Sequence, residues 1–400
     1  MNALKNGADI RGGRAWDVLS GWSLVTALLF SFISISLAQI FFFLAVVLWI
    51  IRLILRREKP AFPRFFIPLI AFAGWSILSA AFSVNPEVSL LASRELTLFL
   101  MVPLAYMVLD GENWNQRALP AVFISAAVSL VYSYYHVASG LRPDERVKGF
   151  MGHYMTQAGL LLLFCAVALG LFVFSRKRSR FLWGAAFLVA CPALALTLTR
   201  SAWIGLGVAA CVILALYKPK LLALVPVAAV LAYLGSPGEV KRRIESIFTT
   251  RGTSNEVRIE YARAGLKIIK EFPILGTGPD TVDMEFQLPK YGLSAEARNN
   301  VHLHNNILQI AAERGIPALL AWLAFFALAV VDLRRIARSR DPAHEQVKPA
   351  AAGALAAAAA LFVAGFFEYN FADSEITLLF LFLITLPFAQ TAGSQTKKTI

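Results

Sequence analysis

The chain has 400 residues, of which 58% are hydrophobic and 16% charged, and its formal net charge is +13. A soluble protein of this length could not bury so much apolar surface, so the composition excludes an ordinary globular domain and indicates a polytopic membrane protein. The positive charge does not indicate nucleic acid binding, because Lys and Arg fall in short runs between apolar segments, as membrane topology requires.

Twelve apolar segments can form membrane-spanning helices, because a hydrocarbon core about 30 Å thick needs roughly 20 apolar residues per helix. The predicted spans are 18–36, 38–55, 65–82, 94–109, 118–138, 154–175, 180–198, 200–217, 220–235, 314–332, 349–367 and 374–391. No small-residue cleavage site follows the first span, so we expect a retained helix there and no signal peptide. The three cysteines lie in apolar segments and form neither a disulfide framework nor a metal-ligand pattern.

Runs of basic residues orient the predicted bundle. They follow the second, sixth, eighth and tenth spans and also close the chain, so the positive-inside rule places both termini and these loops in the cytoplasm. The sequence thus predicts helices over 1–235, a polar loop over 236–303 on the outer side of the membrane, and helices with a short tail over 304–400.

Four cations break that rule by lying on the predicted outer side. Arg142, Arg146 and Lys148 lie between the fifth and sixth spans, and Arg200 lies in a tight corner between the seventh and eighth. A single arginine could be a headgroup anchor. Several cations beside a polar loop favour an anion site, because the arginine fork binds phosphate oxygens bidentately. We therefore predict a diphosphate site at this interface.

Within the loop, the sequence predicts a short basic helix over 239–247 and an amphipathic helix over 256–271. Arg258 on the second helix could bind an anion. It could also form a surface salt bridge with Glu256 or Glu260. When Arg258 is considered alone, we favour the salt bridge.

Two histidines, His302 and His304, end the loop. In an extended segment both imidazoles would share one face and could bind a metal, although no partner with convincing ligand spacing is visible. If His304 instead begins the following helix, its imidazole can take a proton from a hydroxyl near neutral pH. A purely structural histidine is the third interpretation that the residues leave open.

The chain resembles the O-antigen ligase family, which includes WaaL-type ligases, Wzy-type polymerases and membrane O-oligosaccharyltransferases. The motifs that carry the resemblance are LTRSAW (198–203), RIEYARAG (258–265), FPILGTGP (272–279), HLHNNIL with ERG (302–315), RVKGF (146–150) and EYNF (368–371). Their order, spacing and placement on one external loop make the resemblance specific, and it spans nearly the whole chain.

The resemblance implies an all-α, polytopic, GT-C-like fold of about twelve transmembrane helices with one large helical periplasmic loop. It implies transfer of a glycan from undecaprenyl diphosphate to a hydroxyl of lipid A–core oligosaccharide, at the periplasmic face of the bacterial inner membrane. The transfer would invert the anomeric centre and need no metal or other cofactor. By analogy Arg200 and Arg258 would bind the diphosphate, with Arg142, Arg146 and Lys148 added from the topology alone.

His304 would be the base that activates the acceptor hydroxyl, because the position directly before Asn305 fits the family base better than His302 does. His302 and Asn305 would orient the loop or contact the acceptor. The short tail after the twelfth span favours a ligase. The alternatives are a Wzy-type polymerase and a membrane transporter or flippase, for which the sequence has neither an internal repeat nor enough mid-membrane charge.

The orientation can be tested with topology reporters. We expect fusions at Lys177 and Arg338 to report the cytoplasm, and fusions at Gly252 and Ser294 to report the outer side, because the basic loops stay on the cytoplasmic face. A cytoplasmic signal from the 236–303 loop would overturn the orientation and the chemistry inferred from it.

Overall fold

The computed structural model describes residues 2–110, 114–140, 146–176, 178–246 and 254–399, which are helical and contain no β-strand. The α-helices are α1 (Asn2–Leu29), α2 (Ile35–Arg56), α3 (Phe66–Ala81), α4 (Pro86–Ala92), α5 (Met101–Val108), α6 (Trp114–Ala138), α7 (Tyr154–Phe174), α8 (Arg180–Leu196), α9 (Arg200–Tyr217), α10 (Leu224–Gly235), α11 (Gly238–Glu245), α12 (Ser254–Glu271), α13 (Val282–Phe286), α14 (Ala295–Arg298), α15 (Asn306–Arg338), α16 (Lys348–Ala364) and α17 (Ser374–Thr399). Short 3₁₀ helices cover Ser93–Leu100, Gly149–Met151, Pro219–Ala223, Pro289–Tyr291 and Pro342–His344.

Among the described residues, seven helical stretches are long and apolar enough to cross a membrane, which supports a multi-pass membrane protein. They are 35–56, 86–108, 116–138, 154–174, 200–217, 306–338 and 374–392. Five shorter apolar helices, of 10–17 residues, lie at 15–29, 66–81, 180–196, 219–235 and 348–364. Each predicted span overlaps one of these helices, while the count of twelve crossings stays a prediction.

The boundary predicted for the first span is wrong. α1 ends at Leu29, and a turn separates it from α2. Ser34 caps α2 by accepting a hydrogen bond from the backbone N–H of Leu37. Serine at this position satisfies an N–H that the helix itself leaves unpaired, and this small polar signal lies inside a continuous apolar run.

The alanine-rich helix α16 lies at the centre of the bundle and packs against α7, α9, α15 and α17. Its small side chains allow a very close approach of backbones. A Cβ added at Gly170 of α7 would lie 2.5 Å from the Cα of Gly353 in α16. Small residues at such crossings let helices pack through van der Waals contact of their backbones, which is the main source of helix association in lipid.

A break in α15 ties the polar loop to the bundle. Gly315 leaves the helical conformation, with φ 79 and ψ 171. The backbone carbonyls of Ala312 and Glu313, which the break leaves without helical partners, accept hydrogen bonds from the N–H groups of Thr277 (2.9 Å) and Gly278 (2.8 Å). The loop segment with Gly276, Gly278 and Pro279 is therefore docked on the break.

The same segment is anchored to α3 from the other side. The indole Nε1 of Trp75 donates to the carbonyl of Ile274 (3.2 Å), and the Ser79 hydroxyl donates to the carbonyl of Leu275 (2.6 Å). Ser83 Oγ donates to the carbonyl of Thr277 (2.9 Å). The loop and the turn after α3, both predicted to lie at the outer end, are thus in direct contact.

Alanine at Gly315 should separate this segment from α15. Its Cβ would lie 1.9 Å from the carbonyl oxygen of Ile274, and its φ is left-handed, so we expect Gly315→Ala to cost roughly 1–3 kcal/mol. The measurement is the thermal unfolding midpoint of the detergent-purified protein. Gly74→Ala is the matched control, because nothing lies within 4 Å of a Cβ there. Equal midpoints for the two variants would contradict this account.

Candidate active site

His302 and His304 lie side by side just before α15, with ring centroids 4.5 Å apart. Both face the carboxylate of Glu368 in the turn between α16 and α17. Glu368 Oε1 is 3.1 Å from His304 Nδ1 and 3.5 Å from His302 Nε2. His304 has φ 51, a left-handed value uncommon for a residue other than glycine. The imidazoles therefore share one face, as predicted for an extended segment, although the backbone at His304 is not extended.

Two asparagines fix the turn that carries Glu368. The Asn305 side chain accepts from the first N–H groups of α15 and donates to the carbonyl of Phe366 (2.9 Å). The Asn306 backbone N–H donates to the carbonyl of Gly365 (2.7 Å), and its side-chain amide donates to Asn370 Oδ1 (2.8 Å). Asn305, predicted to contact the acceptor, is thus engaged in capping α15 and holding this turn.

Glu368 is a buried carboxylate compensated by the two imidazoles. Its exposure is 7%. Burial would raise its pKa, but hydrogen bonds from His302 and His304 outweigh burial and lower the pKa to about 2. The group is therefore ionised at neutral pH. Its second oxygen, Oε2, is buried and has no hydrogen-bond partner among the described residues.

The hydrogen bonds of His304 define its tautomer. Its Nε2 lies 2.7 Å from the side-chain nitrogen of Asn300, and an amide nitrogen can only donate. The Nε2 atom is then the acceptor, and the ring proton lies on Nδ1, which donates to Glu368. This tautomer keeps a lone pair on Nε2, as a general base requires.

A cavity of about 520 Å³ opens beside the histidines. Its carboxyl groups belong to Glu95, Asp280, Glu313, Glu368 and Asp373. Burial, followed by the negative charges of Glu375 and Glu368, raises the pKa of Asp373 to about 7. Burial and the charge of Asp283 also raise the pKa of Asp280. A carboxyl group with so high a pKa, as at Asp373, can donate as well as accept hydrogen bonds, which suits a ligand rich in hydroxyls.

A second group of side chains gathers at the corner between α8 and α9. Arg200, at the start of α9, donates to the carbonyl of Ser246 (3.2 Å) and to Asn255 Oδ1 (2.8 Å). Arg243 of α11 donates to the carbonyl of Leu198 (3.3 Å). The corner thereby holds the two loop helices α11 and α12 against the bundle.

Two further arginines, Arg146 and Arg258, complete this cationic group. Burial, followed by the positive charge of Arg146, lowers the pKa of Arg243; Tyr154 opposes this decrease, and the positive charge of Arg258 adds a smaller lowering. In the parts of the chain that the structure describes, no carboxylate forms an ion pair with Arg146, Arg243 or Arg258. A concentration of positive charge without paired carboxylates attracts an anion.

The structure places the cations of the predicted diphosphate site in different surroundings. Arg146, Arg200 and Arg258 belong to the cationic group, while Lys148 is exposed before the 3₁₀ turn that precedes α7. Arg142 lies outside the described residues.

The salt bridge predicted for Arg258 when that residue is considered alone is wrong. No ion pair joins it to Glu256 or Glu260, and the Glu260 carboxylate accepts instead from the backbone N–H of Ser294 (2.9 Å).

Sequence reasoning missed Arg243 and Glu368. Arg243 follows the buried Val240 by three residues, so helical spacing could have placed it on the inward face of α11. Glu368 lies 64 residues beyond His304, so no local spacing connects the two.

The cationic group and the histidines meet at the start of α7. The Arg146 guanidinium lies 4.2 Å from the ring centroid of Tyr154. Tyr154 and His153 also line the cavity that contains His302 and His304. A ligand that fills this cavity would lie beside the imidazoles and beside Tyr154, whose ring contacts Arg146 of the cationic group.

Residues 185–323 match a protein-family model described as O-Antigen ligase. The matched region includes Arg200, Arg243, Arg258 and both histidines, while Arg146 and Glu368 lie outside it. No curated protein matches the chain. The match confirms the family resemblance read from the sequence motifs.

Proposed function

We propose that this chain, a member of the O-antigen ligase/polymerase family, transfers a glycan from undecaprenyl diphosphate to a hydroxyl of lipid A–core oligosaccharide. The observation that carries the proposal is the meeting, at the start of α7, of an arginine group with an imidazole oriented by a buried carboxylate. Transfer from a diphosphate donor needs cations for the leaving group and a base for the acceptor.

The arginines hold the donor diphosphate. As the bond between the anomeric carbon and the phosphate oxygen breaks, negative charge grows on the diphosphate, and guanidinium groups placed beforehand stabilise it. Arg258 and Arg243 face this charge from the two loop helices, and Arg200 faces it from the start of α9. Arg146 adds a fourth cation from the turn before α7.

His304 activates the acceptor. The incoming hydroxyl replaces the Asn300 amide at Nε2 and gives its proton to that nitrogen, while its oxygen attacks the anomeric carbon on the face opposite the diphosphate. The configuration at that carbon is therefore inverted. The imidazolium that forms is stabilised by Glu368 through the Nδ1–H hydrogen bond, as in other base–carboxylate pairs. The step uses no metal ion.

The donor and acceptor are both membrane lipids, so the site belongs at a membrane surface. The basic loops favour twelve crossings, with the histidines and residues 236–303 on the periplasmic face of the bacterial inner membrane. The polyprenyl chain would lie in the bilayer beside the phospholipids, while the diphosphate remains at the arginines.

The test is a transfer assay with purified protein, lipid-linked donor and lipid A–core acceptor. Glycan attached to lipid A–core is the expected product. A strain lacking the gene should accumulate full-length polymer on its lipid carrier. Shortened polymer that is still attached to lipid A–core would assign the chain to the polymerases instead.

The arginines provide the first functional prediction. Arg258→Ala should lower the transfer rate by about 10²-fold or more, because one preorganised contact to the developing charge is lost. Arg258→Lys should recover only part of it, since an ammonium keeps the charge but not the bidentate fork. Arg243→Ala should behave like Arg258→Ala. Arg263→Ala, an exposed position on the same helix, is the control, and full activity in Arg258→Ala would contradict the assignment.

The general base provides the second functional prediction. His304→Ala should lower the rate by about 10²- to 10⁴-fold, and Glu368→Gln should also lower it, because the imidazole loses its orienting carboxylate. His302→Ala should have a smaller effect. Adding chelator to the wild type should cause no loss of activity. Wild-type turnover in His304→Ala would show that another group takes the proton.

A further inference from the structure

We propose that His302, His304 and Glu368 form a binding site for zinc, and that zinc bound there inhibits the transfer. One ligand atom from each residue lies within 4.8 Å of the other two. Two histidine imidazoles and one glutamate carboxylate are a known set of zinc ligands in proteins. The inhibition rests on the proposed function, whereas the binding of the metal does not.

Two of the three donor separations match those around a tetrahedral ion. Zinc bonds of about 2.0–2.1 Å at tetrahedral angles place ligand atoms roughly 3.3–3.4 Å apart. Glu368 Oε1 lies 3.1 Å from His304 Nδ1 and 3.5 Å from His302 Nε2, on either side of that separation. The adjoining cavity leaves the fourth position open to water.

The second oxygen of the carboxylate is an independent indication of a missing partner. Oε2 of Glu368 is buried, and no hydrogen bond reaches it from the described part of the chain. A buried ionised carboxylate normally satisfies both oxygens. A divalent cation between the imidazoles would neutralise the charge of this carboxylate and give Oε2 a counter-charge within its reach.

Binding would remove the base by changing the tautomer of His304. The metal takes the lone pair of Nδ1, so the ring proton moves through solvent from Nδ1 to Nε2, and the imidazole stays neutral. The Nε2 atom then carries hydrogen and can no longer accept a proton from the acceptor hydroxyl. The Asn300 amide, which now donates to Nε2, would turn over to present its oxygen. Zinc and proton acceptance are therefore mutually exclusive.

The donor set also defines which cations bind. Imidazole nitrogens suit zinc and neighbouring transition metals, whereas magnesium prefers oxygen ligands in octahedral geometry. Magnesium should therefore neither bind at this site nor inhibit.

Binding is tested on the chelator-stripped protein in detergent by titration calorimetry and metal analysis with zinc chloride and magnesium chloride. We expect one zinc per chain and no magnesium. His302→Ala and Glu368→Gln each remove a direct ligand, so zinc affinity should fall at least about 10- to 100-fold. His136→Ala, a partly exposed histidine at the end of α6, is the control and should bind as the wild type does. The absence of stoichiometric zinc, or equal affinity in His302→Ala, would overturn the site.

Inhibition is tested separately. The transfer rate should fall in proportion to zinc occupancy and return when EDTA is added. In His302→Ala, the same fractional loss of rate, measured against the zinc-free rate of that variant, should require at least about tenfold more zinc. Zinc that binds stoichiometrically without slowing transfer would overturn the inhibition. Zinc binding in a protein that transfers no glycan would leave the site standing and refute the proposed function.

Discussion

The placement of the Glu368 carboxylate depends on two neighbouring asparagines. Asn305 and Asn306 use backbone and side-chain groups to hold the turn after α16 against the start of α15, so that the carboxylate meets both imidazoles. A buried carboxylate is costly unless it is paired, and the imidazoles provide the pairing. The contacts of Asn305 and Asn306 therefore decide the tautomer of His304. They thereby also decide whether this end of the bundle can accept a proton or bind a metal.

In the arginine group, by contrast with Glu368, the contacts position the charged groups without pairing them with opposite charges. Arg200 and Arg243 bind backbone carbonyls and an amide oxygen, and Arg146 rests on an aromatic ring, so these contacts fix positions without neutralising charge. The hydrogen bonds that Arg200 and Arg243 form across the corner hold the loop helices against α9 and oppose the mutual repulsion of the guanidinium groups. An anion that enters this corner finds its hydrogen-bond donors already in place, so little reorganisation opposes binding.

The sequence predicted the helices better than the contacts between them. Apolar runs located the helices of the bundle, and an amphipathic period located α12 in the loop, where Pro273 follows its end because proline disrupts helical hydrogen bonding. Of the site, family resemblance supplied Arg200, Arg258 and His304. Glu368 was missed because tertiary packing, which no local period encodes, brings it to His304, whereas Arg243 was missed although its spacing from Val240 marks the inward face of its helix. The contact of Asn305 with Phe366 was not predicted for the same reason as the contact of Glu368, since Phe366 belongs to a distant turn.

The alanine-rich helix α16 has a consequence for assembly in the bilayer. Alanine gains little from contact with lipid, and the helix is nearly enclosed by its neighbours, so surrounding protein does most to keep it at membrane depth. α16 can thus reach its final place only once α7, α9 and α15 are present to receive it. Because the turn with Glu368 follows this helix directly, the placement of α16 also completes the polar end of the bundle.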